Sequence, residues 1–244
     1  MKQAKILFIL MLLAPVAASA QETFMTADSV KYMILSENTV SLVDAMPLSI
    51  ISVSKTYSIP PVVSNNWIKY TVTEIGDNAF FCTEFKSISI PTSIKHIGNG
   101  AFYCCIYLES ITIPSTVKSI GGWAFYGCPF KSLMIPSSVD TIGVGAFSYC
   151  YDLESISLPA NIKTLSNRLF EGSNHLQQIN IPENVTTIGD CAFLGCESLK
   201  EVTIPQNVIA IGESAFGQCS ALQKVTIPES VKSIGNSLSM IVVT

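Results

Sequence analysis

The residues with the most chemical capacity are eight cysteines and two histidines, His96 and His175. Cys105, Cys128, Cys150, Cys196 and Cys219 each stand three residues after a phenylalanine, Ser173 takes that place once, and Cys82 comes one residue early. Three chemistries suit such a row: small buried hydrophobes, disulfides between neighbouring structural units, or metal ligands. Free cysteine is among the most buried residue types. Side chains stacked in register also point in parallel rather than toward one another, so the buried thiol is the favoured reading, although stacking at about 5 Å lies within disulfide range. Cys104 and Cys191 fall outside the row and read as the more reactive thiols.

Two histidines without closely spaced Cys or His partners supply no zinc or haem framework. A catalytic triad would need one of them beside a carboxylate and a nucleophile. His96 sits in Ile94-Lys95-His96-Ile97, a polar slot, and His175 in Ser173-Asn174-His175-Leu176, a loop slot. Glu109, Glu154 and Glu201 recur at strand ends on different units, where solubility explains them better than paired-carboxylate hydrolysis. Of 244 residues, 48% are hydrophobic and 13% charged, about half the usual charged share of roughly 25%. Fourteen Lys and Arg against eighteen Asp and Glu leave no basic face for nucleic acid. No catalytic residue, cofactor or metal is expected.

What must position these residues is a repeat. The pair Ile-Gly recurs from Ile75-Gly76 to Ile234-Gly235, with Leu165-Ser166 filling one gap, and defines units 75–96, 97–119, 120–141, 142–164, 165–187, 188–210 and 211–233. Residues 234–244 are a truncated eighth. Seven of twelve phenylalanines and seven of twelve prolines fall at fixed phases. In Leu153-Glu154-Ser155-Ile156-Ser157-Leu158-Pro159, apolar and small polar residues alternate as in a half-buried strand, and the proline marks where it stops. A second short inward stretch ends at Ile-Gly, whose glycine is read as permitting a backbone turn. The Ala-Phe pair follows on a short helical or 3-10 turn. A unit this short cannot bury its own apolar face, whereas stacked copies can. The expected fold is a β-rich solenoid of 22–23-residue coils with a parallel sheet on its concave face.

Residues 1–20 carry Lys2 and Lys5, an apolar run from Ile6 to Val16 and Ala18-Ser19-Ala20, the pattern of a secretory signal peptide with cleavage after Ala20. Eleven apolar residues are too few for the roughly 20 that span a bilayer. No later stretch is long enough either, so no membrane-spanning segment is expected after signal removal. Residues 21–74 read as an N-terminal strand-rich cap and 75–244 as the solenoid. The end, Met240 to Val243, reads either as a last short strand or as a truncation.

The consensus L-x-x-I-x-I-P-x-x-V-x-x-I-G-x-x-A-F-x-x-C resembles the BspA-like, or Treponema-type, leucine-rich repeat family. Tyr70-Thr71-Val72-Thr73-Glu74-Ile75-Gly76 is similar to that family's entry from its N-terminal cap. The resemblance implies an exported or surface protein of a host-associated microbe, with binding to host proteins or other cells and no catalysis. Unit 165–187 departs from the pattern at Leu165-Ser166, Leu169 and Ser173, which implies a looser turn with Phe170 still in the core.

By strand alternation the outward residues are Ser87, Ser89, Ser110, Thr112, Ser132, Met134, Ser155, Ser157, Gln178, Asn180, Glu201, Thr203, Lys224 and Thr226. Stacked, they form a continuous face of hydroxyls and amides, and the stretch from Ser110 to Thr203 is the expected ligand-binding surface. An extended polar partner, a host or cell-surface protein or glycan, suits it. Outward polar residues are also what any sheet with one wet face would carry. An envelope or spacer protein without a specific ligand, or a fragment of a larger adhesin, is the alternative, and a secreted hydrolase is the remote one. Trp67 and Trp123 lie in the cap and in a loop slot.

Overall fold

The computed structural model describes residues 22–27, 29–45 and 56–236. The signal peptide expected at 1–20 and the strand expected at 240–243 lie outside the described residues.

Each repeat unit folds as one coil. Its first strand is three residues long, as in Ser155–Ser157, or two at Gln178–Ile179, and its second is two, as in Thr164–Leu165. The alternation that predicted the first strand is observed directly: Ile156 is buried between the outward Ser155 and Ser157. The proline does more than stop the strand. Its carbonyl accepts a hydrogen bond from the amide three residues on, Val139 to Pro136 at 3.0 Å and Val185 to Pro182 at 3.0 Å, so a tight turn delivers the chain to the second strand.

Coils stack with parallel, in-register pairing: Ser155 faces Gln178, Thr187 faces Ala210, and Glu201 faces Lys224. The interior is a series of ladders. Phe80, Phe102, Phe125, Phe147, Phe170 and Phe193 are fully buried and stack nearly parallel at centroid distances from 5.1 to 5.9 Å, close to the spacing of neighbouring β-strands. The widest step, 5.9 Å, lies between Phe147 and Phe170, where the aberrant unit enters.

The turn carrying Ala-Phe is not helical, in contrast to the expected helical or 3-10 turn; the described residues contain no helix. Its amides alternate in their partners. Phe81 donates to Asn78 three residues back, whereas Asn78, Phe80 and Cys82 donate to Asn99, Ala101 and Tyr103 of the next coil. Half the turn's donors are committed to the neighbouring coil and cannot close a helix. Two residues per coil also take a left-handed conformation, for example Asn78 at φ 57° and Cys82 at φ 53°, which interrupts a helix at both ends of the turn.

The Ile-Gly glycine has a different reason from the one the sequence suggested. A Cβ on Gly143 would lie 2.3 Å from the Gly122 nitrogen, and one on Gly121 would lie 2.5 Å from the Asn99 nitrogen. Close approach of backbone to backbone between coils, not turn conformation, excludes a side chain there. Gly143 N donates to Ile120 O at 2.8 Å, as Gly189 N does to Leu165 O. In the aberrant coil Ser166 makes this contact through its side chain, with Oγ donating to Ile142 O at 2.5 Å. The second-strand ladder is interrupted there: an eight-stranded sheet ends at Thr141–Ile142 and a four-stranded one begins at Thr164–Leu165.

Residues 22–75 supply the strands that start the stack. Lys31–Ser36 and Thr39–Asp44 form an antiparallel hairpin, and Thr39–Asp44 pairs parallel with Ile68–Ile75, which itself pairs with His96–Ile97. Thr56–Ser58 pairs parallel with Ser87–Ser89. The hairpin of Val62–Asn65 and Ile68–Ile75 is inserted between the two strand positions of this first coil. Trp67, at its tip with φ 68°, is fully exposed.

Candidate binding face

The outward residues of the first strands form two rows. One runs through Ser87, Ser110, Ser132, Ser155, Gln178, Glu201 and Lys224, the other through Ser89, Thr112, Met134, Ser157, Asn180, Thr203 and Thr226. Ser87 and Ser155 are half-buried and the rest are exposed. All ten residues expected as ligand contacts therefore share one face. Only Glu201 and Lys224 are charged, and they are direct register partners, so the two charges oppose each other on neighbouring coils. At the strand entrance Lys86 Nζ lies 3.4 Å from Glu109 Oε1 on the next coil.

The face is not the uninterrupted sheet the sequence suggested. The first strands fall into three hydrogen-bonded groups: Thr56 to Thr112, Ser132 to Ile179, and Glu201 to Thr226. A depression of about 440 Å³ lies across the second break, lined by Ser155, Ser157, Gln178, Asn180, Glu201 and Thr203 over Ile156 and Ile179. A second, of about 420 Å³, lies over the first group and includes Thr56, Ser87, Ser89, Ser110 and Thr112. Ser132 and Met134 line neither, and Met134, 74% exposed, stands between them.

Thr56 and Ser58 extend the face and were missed in the sequence. Thr56 Oγ1 is 2.8 Å from Ser87 Oγ. The signal was present: Thr56-Tyr57-Ser58-Ile59-Pro60 repeats the strand pattern of Ser87-Ile88-Ser89-Ile90-Pro91, hidden by a spacing of 31 residues where the inserted hairpin lies.

The cysteine row is an internal hydrogen-bond ladder. Cys105, Cys128, Cys150, Cys196 and Cys219 donate through Sγ, and Ser173 through Oγ, to the phenylalanine carbonyl of the preceding coil at 2.8 to 3.3 Å. Burial pushes Cys105 up to about 11 and Cys150 and Cys219 up to about 12, so at neutral pH each is a protonated donor. Cys82 is not a displaced member of this ladder. The ladder position of its coil is the buried Thr83, whose Oγ1 lies 3.4 Å from Cys105 Sγ. Cys104 and Cys191, expected to be the more reactive thiols, are both raised, by burial first, which lowers their thiolate fraction.

Two predictions follow from this ladder. Cys150→Ser should retain the bond to Phe125 O, as Ser173 does in its own coil, and shift stability by no more than about 1 kcal/mol; a thermal melt measures it. The raised folded-state thiols stabilise the fold fully below their unfolded value near 9, and that contribution falls as pH rises through the folded values of about 11 and 12. The melting temperature should therefore decline above pH 9, and less steeply in Cys150→Ser.

Each histidine has a partner on a neighbouring coil. His96 Nδ1 lies 2.8 Å from Ser119 Oγ and His175 Nδ1 lies 2.6 Å from Tyr151 O, both exposed. The buried carboxylate Glu171 is held by Arg168 Nη1 at 2.9 and 3.1 Å. Among the described residues no group of three His, Cys, Asp or Glu is placed to hold a metal. The aromatic surface lies on the turn edge rather than on the strand face: Phe81, Tyr103 and Tyr126 stack at 5.3 and 4.4 Å, which covers their flat sides.

A parallel two-strand coil with inward Ile, Phe and Cys ladders and an outward polar strand face defines a leucine-rich repeat solenoid, a fold typical of repeat proteins that are not enzymes. The chain belongs to the BspA type leucine rich repeat family, whose model matches in six copies over residues 73–199 and 164–239. A leucine-rich repeat protein from Bacteroides ovatus ATCC 8483 is similar over 86% of this chain, at 32% identity and TM-score 0.66. The chain spans 60% of that protein's length. More distant likenesses are to the Treponema pallidum leucine rich repeat protein (19% identity, TM-score 0.36, 93% of this chain and 84% of that one) and to a leucine rich cell surface protein from Faecalibacterium prausnitzii A2-165 (18% identity, TM-score 0.31, 91% and 96%). No curated protein matches the chain.

Proposed function

We propose that this protein is an exported, surface-associated binding module that engages a host or cell-surface protein through its first-strand face, without catalysis. The observation that carries the reading is the depression lined by Ser155, Ser157, Gln178, Asn180, Glu201 and Thr203. It offers hydroxyl, amide and carboxylate groups from three successive coils, and its one charge is opposed by Lys224 in register. Such a surface recognises a partner by hydrogen bonds and shape rather than by electrostatic attraction. The signal-peptide pattern of residues 1–20 supports export, and among the described residues no helix is long and apolar enough to cross a membrane.

The test is a binding screen of the purified chain against extracellular-matrix proteins and cell-surface glycans, repeated with Ser157→Arg and Asn180→Arg. These exposed positions tolerate a long side chain without refolding the coil. Saturable protein binding that falls at least about tenfold in both variants is expected, since a desolvated polar contact is worth about 1–3 kcal/mol. Binding that both variants leave unchanged removes this face as the site. Saturable binding to a glycan but to no protein reassigns the partner.

A further inference from the structure

We propose that Cys82 and Cys104 close into a disulfide joining the first two coils, while the other six thiols stay reduced. The two residues occupy one phase of the repeat, two residues after Phe80 and Phe102, and share the same left-handed conformation at φ 53°. Their backbones are in register: Cys82 N donates to Tyr103 O and Cys104 N to Tyr126 O, each at 2.8 Å. Coils approach closely at this phase. A Cβ on Gly127, the next residue of the series, would lie 3.9 Å from the Cys104 Cα and 3.7 Å from its Sγ, and one on Gly195 would lie 3.6 Å from the Gly172 Cα. A Cβ lies about 1.5 Å from its own Cα, so paired Cα atoms at this phase are no more than about 5.4 Å apart, inside the roughly 4.4–6.8 Å that a disulfide spans. Cys104 is raised by burial first and then by the neighbouring Cys82 thiol.

Accessibility, register and freedom of the sulfur atoms together separate this pair from the rest. Cys82 is exposed and Cys104 half-buried. The ladder neighbours Cys105, Cys128 and Cys150, and likewise Cys196 and the half-buried Cys219, are also on successive coils, yet their Sγ atoms are committed to phenylalanine carbonyls. Cys191 has no thiol neighbour, because its phase holds Arg168 before it and Ser214 after it. The oxidant is an exogenous small-molecule or protein disulfide, the species an oxidising compartment supplies. Cys82 thiolate attacks one sulfur of that disulfide and releases one thiolate. Cys104 then loses its proton to solvent and attacks the Cys82 sulfur, releasing the second. Two protein thiols become one S–S bond, and the exogenous disulfide is reduced to two thiols.

The full chain incubated with oxidised glutathione should lose two of its eight titratable thiols, counted in denaturant. A non-reducing protease digest should yield one linked pair of peptides containing Cys82 and Cys104. Cys82→Ser should abolish that linked pair, and Cys191→Ser should retain it. Eight thiols remaining, a lasting glutathione adduct on Cys82 with Cys104 free, or a link through any ladder cysteine would overturn the proposal. None of these readouts depends on what the strand face binds.

Discussion

Gly143→Ala is expected to be the most damaging single methyl group that can be added to this protein. The new Cβ would lie 2.3 Å from the Gly122 nitrogen and 2.6 Å from the Gly121 carbon, and both obstacles are backbone of the preceding coil, which cannot rotate away. The coils must separate, so the hydrogen bond from Gly143 N to Ile120 O and the pairing of Thr141–Ile142 with Ser119–Ile120 are lost. This position is worse than its equivalents because of what lies on its other side. The ladder is already interrupted between Ile142 and Leu165, where Ser166 replaces glycine, so Thr141–Ile142 would be left with no strand partner on either side. Overpacking costs about 1–3 kcal/mol, and each lost buried hydrogen bond adds about 1 kcal/mol. The sum is a large share of the roughly 5–15 kcal/mol that holds a domain together. Circular dichroism melts should show a transition lowered by on the order of 10 °C or split in two. The neighbouring Val144→Ala, at an exposed position, should leave the melt unchanged, and a wild-type-like melt for Gly143→Ala would refute the close-approach account.

Phe147→Ala should destabilise by about 3–5 kcal/mol, the usual cost of emptying a buried aromatic site. Phe147 is fully buried between Phe125 at 5.6 Å and Phe170 at 5.9 Å, so both of its ring faces lose their partners. In a solenoid each coil touches only its neighbours, and stability is close to a sum of coil and interface terms. A void at the widest step of the stack weakens two interfaces at once, and the two halves of the solenoid should then melt separately. Calorimetry would register two unfolding events in place of one, and Phe147→Leu should recover part of the loss. A single sharp transition within 1 kcal/mol of wild type would show that the phenylalanine ladder does not couple the coils.

Much of this architecture was legible because the repeat states each structural requirement several times over. Proline after the strand, phenylalanine at the turn and cysteine three residues later could be aligned without coordinates, and the parallel strands, buried rings and buried thiols follow from that alignment. What failed was reasoning about how one coil touches the next. The Ile-Gly glycine was read as a turn residue, whereas the Gly143 contact lies in the adjacent coil. The Ala-Phe turn was read as helical, whereas its alternate amides bond to the next coil. Thr56 and Ser58 went unrecognised because an inserted hairpin disguised their spacing, and Cys82 was assigned to the wrong ladder because one residue of phase separates Thr83 from it.

The sequence by itself determined what lies inside and what lies outside, since alternation within a strand and recurrence between units both act through local geometry and hydrophobic burial. It thereby specified a polar strand face with few charges and an interior of aliphatic, aromatic and thiol ladders. The tertiary structure decided how continuous that face is. Whether one coil pairs with the next depends on backbone contacts of a few ångströms between residues 22 or 23 positions apart. Those contacts divide the first strands into three groups and place a depression over the gap at Gln178 to Thr203. They also put Cys82 and Cys104 in register on adjacent coils, one exposed and the other half-buried, whereas the ladder thiols are bonded to phenylalanine carbonyls.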